Sequence, residues 1–253
     1  MLISDPMFYA LAVPAGLLIG LSKSGVAVGF GALAVPLMAL AVPVPQAAAI
    51  MLPLLMAADV MGLATLMKHA DWRLIRLLLP AGLVGIGLGW ALFGGLSAPA
   101  VAAITGALTL VFVAIRVLRP AKADAPPPSR WMGRLMAVLS GFTSFVAHAG
   151  SPPIGFYVLP LRLSPLVFSA TMSVFFAAIN FSKWVPYALL GLIDGTNMLT
   201  SLVLLPLPLL GVWVGVKLLR HVSVALFNRL LLGGMLLTGL KLLWDGARGL
   251  GVS

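Results

Sequence analysis

Apolar runs fill this chain almost end to end, and two of them are interrupted in the same way about half a chain apart. The first breaks at Leu21-Ser22-Lys23-Ser24-Gly25 and resumes through Val35-Pro36-Leu37. The second breaks at Ala147-His148-Ala149-Gly150-Ser151-Pro152-Pro153 and resumes through Leu159-Pro160-Leu161. A bilayer tolerates irregular backbone only where protein or a water-filled cavity surrounds it. Interrupted apolar segments at corresponding positions of two halves therefore point to a transporter's binding site. A basic side chain stands in each break, so the expected ligand is an anion.

The surface available to the chain supports this class. Of 253 residues, 61% are hydrophobic and 9% charged, where a soluble domain carries about 25% charged residues. Too few charges remain to solvate a globular surface, and the expected fold is an all-α polytopic membrane protein. The net charge of +10 then reports which loops stay in the cytoplasm before it reports nucleic acid, which is not an expected partner. The chain has no Cys, which excludes disulfides, thiolate metal sites and Cys nucleophiles. No metal-ligand spacing, P-loop or dinucleotide fingerprint occurs, so neither a metal nor a cofactor is expected. The first apolar run has Asp5 but no basic residue before it and is read as a retained helix rather than a signal peptide.

A Pro-rich, charged linker over residues 119–130, containing Ala125-Pro126-Pro127-Pro128-Ser129, divides the chain. It separates a first membrane repeat, 1–118, from a second, 131–253. Leu33-Ala34-Val35-Pro36-Leu37 aligns with Tyr157-Val158-Leu159-Pro160-Leu161. Pro80, Gly85, Gly89 and Ser97 align with Pro206, Gly211, Gly215 and Ser223 at one constant offset. Each half reads as five apolar segments. They run over Met7–Leu21, Val26–Val42, Gln46–Met67, Arg73–Phe93 and Pro99–Leu118, then Met132–Ala147, Pro153–Leu163, Pro165–Trp184, Met198–Val216 and Val224–Trp244. A straight span needs about 20 residues. The first two segments of each half fall short of that, as short tilted helices or as a re-entrant hairpin.

Basic residues select one topology. Lys68, Arg73 and Arg76, then Arg116, Arg119, Lys122, Arg130 and Arg134, then Arg162, then Lys217, Arg220 and His221 cluster at alternate segment ends. The loops between these clusters lack Lys and Arg. The N-terminus is thus expected outside and the linker in the cytoplasm, which makes the second half run opposite to the first. Lys241 and Arg248, near the C-terminus, run against this count. Trp72, Trp131, Trp184 and Trp244 lie near segment ends, as in an aromatic belt.

At each break a resuming helix would offer free N–H groups and the positive end of its dipole. Ser22, Lys23, Ser24 and Gly25 in the first half, and Thr143, Ser144, His148, Gly150 and Ser151 in the second, are the expected substrate contacts. In inverted halves the two helix starts face each other near the midplane, an arrangement that suits a small oxyanion. The competing reading makes both breaks surface loops. Asp59 lies within an apolar segment, where an ionised carboxylate costs about 2.5–3.5 kcal/mol. It is read as a proton-coupling residue, as a partner of Lys23 or Lys183, or as a structural hydrogen-bonding group. Asn180 and Lys183 occupy the corresponding region of the second half, three residues apart on one helix face, and join Asp59 as coupling candidates. For Lys183 itself, next to Trp184, snorkelling to the interface is the favoured reading. The Met residues and Phe175-Phe176 are expected to pack in the bundle or face lipid. Ser24 with His148 superficially resembles a Ser/His pair, but nothing in the sequence brings the two together, so the chain is not expected to be an enzyme.

Gly20-Leu21-Ser22-Lys23-Ser24-Gly25 with Leu33-Ala34-Val35-Pro36-Leu37-Met38-Ala39-Leu40, followed by Ala47-Ala48-Ala49-Ile50-Met51-Leu52-Pro53-Leu54-Leu55 and Asp59, resembles the first signature of the TauE/SafE sulfite exporter family. Ser140-Gly141-Phe142-Thr143-Ser144-Phe145 with His148-Ala149-Gly150-Ser151-Pro152-Pro153 resembles the second. Phe175-Phe176 to Asn180 and Leu240-Lys241-Leu242-Leu243-Trp244-Asp245-Gly246 also look like family sequence. The resemblance covers nearly the whole chain. It implies a multi-pass permease of the bacterial inner membrane for sulfite, an organosulfonate or a related organosulfur anion. The chain departs from the family's dense glycine cluster at Val26-Ala27-Val28-Gly29-Phe30-Gly31. The expected function is secondary transport of such an anion by alternating access, with protons as the candidate coupling ion, lipid around the bundle and a homodimer left open. The alternatives are a passive anion channel and a non-transporting membrane scaffold.

Overall fold

The computed structural model describes residues 2–23, 30–118, 128–218 and 224–251. Among the described residues the chain is helical throughout, with no strand. The first half holds α1 (Pro6–Lys23), a 3-10 turn leading into α2 (Ala34–Met38), α3 (Val44–Leu66), α4 (Trp72–Phe93) and α5 (Ala98–Leu118). The second holds α6 (Arg130–Ala147), α7 (Ser151–Val158), α8 (Pro165–Ser182), α9 (Trp184–Leu189), α10 (Gly195–Leu204), α11 (Pro206–Leu218) and α12 (Val224–Gly249). Among the described residues, six helical stretches are long and apolar enough to cross a membrane.

Local chemistry sets the boundaries. Asp71 caps α4, its Oδ1 accepting from the backbone N–H groups of Arg73 and Leu74 at 2.9 and 3.0 Å. Ser129, Ser164 and Asp194 cap α6, α8 and α10 in the same manner, satisfying N–H groups that have no acceptor within the helix. The expected segments Arg73–Phe93 and Pro99–Leu118 correspond to α4 and α5. The expected single segment Met198–Val216 is divided between α10 and α11 at Pro206, which has no N–H to continue the ladder. The first segment is longer than expected: α1 runs 18 residues, about 27 Å at 1.5 Å per residue. In the second segment of the second half α7 has eight residues; in the first half the 3-10 turn Phe30–Leu33 and five residues of α2 are described, and residues 26–29 of the expected segment lie outside the described residues.

Glycines set the closest helix contacts. A Cβ on Gly20 would lie 2.1 Å from the Pro208 carbonyl oxygen, and one on Gly211 would lie 2.3 Å from that of Leu17, so α1 and α11 cross backbone to backbone. α4 and α6 cross likewise: a Cβ on Gly85 would lie 2.1 Å from the Val138 oxygen and one on Gly141 2.0 Å from the Gly82 oxygen. Both pairs run parallel, since Gly16 meets Leu207 and Gly20 meets Val212, while Gly85 meets Val138 and Gly89 meets Phe145. α5 and α12 are antiparallel, Gly106 lying against Leu243 and Gly249 against Pro99. α3 and α8 are antiparallel too, joined at Asp59–Asn180 and at Gly62–Ser173.

α3 is the most enclosed of the candidate spans. Its Ala47, Ala48, Ile50, Met51, Leu52 and Leu54 are fully buried in the main apolar core. The outer surface carries Leu83, Val84, Leu88, Leu202, Val203 and Leu237, as lipid contact requires. Trp72, Trp131 and Trp244 are exposed, as a belt would have them. Trp184 departs from that expectation: it is half-buried and its indole N–H donates to the Met56 sulfur on α3.

Candidate functional site

The second break is held shut as a structure in its own right. α6 ends because His148 adopts a left-handed conformation at φ 52° and ψ 24°, a position that glycine usually fills. Its N–H donates to the Ser144 carbonyl at 3.0 Å and that of Ala149 to the Thr143 carbonyl at 3.2 Å. The Ser140 hydroxyl donates to the Gly150 carbonyl at 2.7 Å. The Thr143 hydroxyl lies 2.9 Å from the carbonyl oxygens of both Leu139 and Ala149. A Cβ on Gly150 would meet the Ser140 oxygen at 2.8 Å, so this turn accepts no larger residue there. Thr143, Ser144 and Gly150 thus build the turn. α7 starts at Ser151 with Pro152 and Pro153 in its first turn, where their missing N–H groups cost nothing.

A left-handed non-glycine residue costs about 1–3 kcal/mol, and the His148 ring is fixed at both nitrogens. Nε2 lies 2.8 Å from the Ala48 carbonyl oxygen on α3, and Nδ1 lies 2.8 Å from Lys183 Nζ. Lys183 also donates to Asn180 Oδ1 at 2.8 Å. Asn180 Nδ2 in turn donates to Asp59 Oδ2 at 2.6 Å, and the other oxygen of Asp59 takes the ammonium of Lys23 in a salt bridge. One continuous chain of polar contacts therefore runs Lys23–Asp59–Asn180–Lys183–His148–Ala48 across α1, α3, α8 and the end of α6. The three coupling candidates are brought together. Lys183 corrects the snorkelling expectation: it is 0% exposed, turned inward to His148 and Asn180 rather than out to the interface. An unpaired charge at this depth would be strongly disfavoured, and Lys23, Asp59 and Lys183 each have polar partners in this network.

One end of this network opens on a cavity of about 70 Å³. Its wall is made by Ser22 and Lys23 at the end of α1, Ser151, Ile154 and Gly155 at the start of α7, and a face of α8. Lys23 has 20% of its side chain exposed where Asp59 has 3%, so the ammonium meets the cavity and the carboxylate stands behind it. The same ammonium lies 5.6 Å from the ring centroid of Phe176, within cation–π range. Of the expected substrate contacts, the structure brings Ser22, Lys23 and Ser151 to this cavity. Thr143, Ser144, His148 and Gly150 do not line it. Ser24 and Gly25 lie outside the described residues, as does most of the expected first helix restart, so the facing of the two helix starts does too.

Residues of α8 were missed. Ser169 and Ser173, four apart, and Phe168, Met172 and Phe176, also four apart, bring one polar and one apolar stripe to the cavity wall. Phe175 and Met172 pack in the core and Phe176 against it, as expected, and Met172 and Phe176 also border the cavity. Two serines at helical spacing in an otherwise apolar segment were the available signal.

The fold and site define a polytopic helical membrane protein with a buried ion network opening on a small cationic cavity. The profile of the family described as Sulfite exporter TauE/SafE matches residues 12–242. The chain belongs to that family, whose members are membrane transporters. No curated protein and no solved structure matches it.

Proposed function

We propose that this protein is a secondary transporter that moves a small sulfur oxyanion, sulfite or an organosulfonate, across the bacterial inner membrane by alternating access. The observation that carries the reading is Lys23, an ammonium of the first break, reachable from a cavity bordered by the hydroxyl-bearing residues Ser22, Ser151, Ser169 and Ser173. Hydroxyl and ammonium donors around a tetrahedral or pyramidal oxyanion give charge-assisted hydrogen bonds, and the start of α7 adds its dipole.

Helix pairing supports two inverted halves. If α1 to α5 correspond in order to α6, α7, α8–α9, α10–α11 and α12, the α4–α6 crossing is the counterpart of α11–α1. The self-paired elements, α3 with α8 and α5 with α12, are antiparallel, as a twofold axis in the membrane plane requires. The network repeats as well: Lys23 reaches Asp59 36 residues downstream, and His148 reaches Lys183 35 residues downstream. In this reading residues 1–118 and 131–253 are the two repeats, the N-terminus is outside, and the linker is cytoplasmic.

Coupling to protons is part of the proposal, through Asp59 with Asn180 and Lys183 behind it. Counterflow in proteoliposomes tests the function. Vesicles preloaded with unlabelled sulfite should accumulate labelled sulfite transiently above equilibrium, and an imposed pH gradient should change the rate. Passive equilibration without overshoot would indicate a channel, and no flux of any sulfur oxyanion would indicate a scaffold.

A further inference from the structure

The network holds two amines and one carboxylate, and its hydrogen bonds fit a definite arrangement of charge. With Lys183 as an ammonium, which only donates, His148 Nδ1 is its acceptor and Nε2 carries the hydrogen that bonds the Ala48 carbonyl. His148 is therefore neutral in this arrangement. Asn180 presents its carbonyl to Lys183 and its amide to Asp59, the orientation that suits a cation on one side and an anion on the other. In this arrangement Lys23 and Lys183 count as one positive charge each and Asp59 as one negative charge. Residues 24–29, which follow Lys23 in sequence, contain no ionisable side chain. Lys23 is the one charged residue lining the cavity among the described residues.

From this charge count we infer, resting on the anion-transport reading, that the site is built to accept a single negative charge. It is electroneutral when it holds a monoanion, such as hydrogensulfite or a monosulfonate, and discriminates against dianions of the same shape. Asp59 stands in for the substrate while Lys23 is free. When the anion takes Lys23, Asp59 keeps Lys183 as its remaining counter-charge, joined through Asn180. A dianion leaves an uncompensated negative charge at a depth where charge is poorly tolerated.

Methanesulfonate and sulfate are matched probes, each with a tetrahedral sulfur, differing in a methyl group against a charged oxygen. Calorimetric titration of the purified full chain should give at least tenfold tighter binding of methanesulfonate. Hydration alone favours a monoanion in any dry site, so the decisive readout is how the ratio changes. Asp59→Asn raises the count by one charge and should move the ratio toward sulfate by tenfold or more. Lys183→Met lowers it by one and should weaken methanesulfonate by a similar factor. The inference is overturned if Asp59→Asn keeps the wild-type ratio. Should that variant not fold, unchanged methanesulfonate affinity in Lys183→Met overturns it. Wild-type protein that binds sulfite yet prefers sulfate to methanesulfonate rejects the charge count and leaves the anion site standing. Binding of none of the three anions removes the anion site itself.

Discussion

Lys183 lies inside the bundle because two acceptors, His148 Nδ1 and Asn180 Oδ1, meet its ammonium there at 2.8 Å each. Its neighbour Trp184 suggested an interfacial position, but one of its two acceptors, His148, lies 35 residues away in sequence. Local context carries no information about such a contact. Asp59 was easier to read, since a carboxylate in an apolar helix must find a cation, and Lys23 was among the few available. Asn180 links the two ion-bearing ends, so its removal should be felt by both. Asn180→Ala leaves Asp59 and Lys183 each one partner short, at about 1–3 kcal/mol for each buried group. The expected result is a lowered thermal midpoint in detergent with a folded elution profile. An unchanged midpoint would show that these contacts are not made. Tyr187 is a milder case: its hydroxyl donates to the Phe145 carbonyl at 2.7 Å near the end of α6, and Tyr187→Phe should cost about 1 kcal/mol while transport persists.

Helix identity and extent were legible wherever an apolar run met a cap or a proline. Asp71, Ser129 and Ser164 mark starts that agree with the expected segments to within a few residues. The division at Pro206 was not anticipated, because a proline within a transmembrane run can be absorbed when neighbouring helices satisfy the freed carbonyl. The close crossings were partly legible: Gly85 and Gly211 align between the halves, and both lie at backbone-to-backbone contacts. Which helices cross could not be read, since glycine spacing names no partner. Gly20→Val should separate α1 from α11, as its Cβ would meet the Pro208 oxygen at 2.1 Å and the Val212 nitrogen at 2.6 Å. Overpacking costs about 1–3 kcal/mol and more where backbone must move. Gly87→Ala, with nothing within 4 Å, is the matched control and should leave the melting temperature unchanged or slightly raised. Equal effects of the two substitutions would contradict the crossing.

At the scale of the molecule, the orientation proposed from the basic loops makes a direct prediction. The chain has no native Cys, so single cysteines report sidedness without background. His69→Cys and Ser129→Cys should resist a membrane-impermeant maleimide added to intact cells. Gly95→Cys and Gly195→Cys, both exposed with open space at Cβ, should react. The reverse pattern would invert the topology, and labelling of all four would refute it. We propose that this chain carries a sulfur oxyanion through the cavity at Lys23. This is tested most directly by the initial rate of labelled sulfite entry into proteoliposomes against sulfite concentration, for wild-type protein and Lys23→Ala side by side. Entry should saturate for the wild type and fall at least tenfold in the variant at subsaturating sulfite. Equal rates in the two proteins, or entry that rises linearly without saturation, would contradict it.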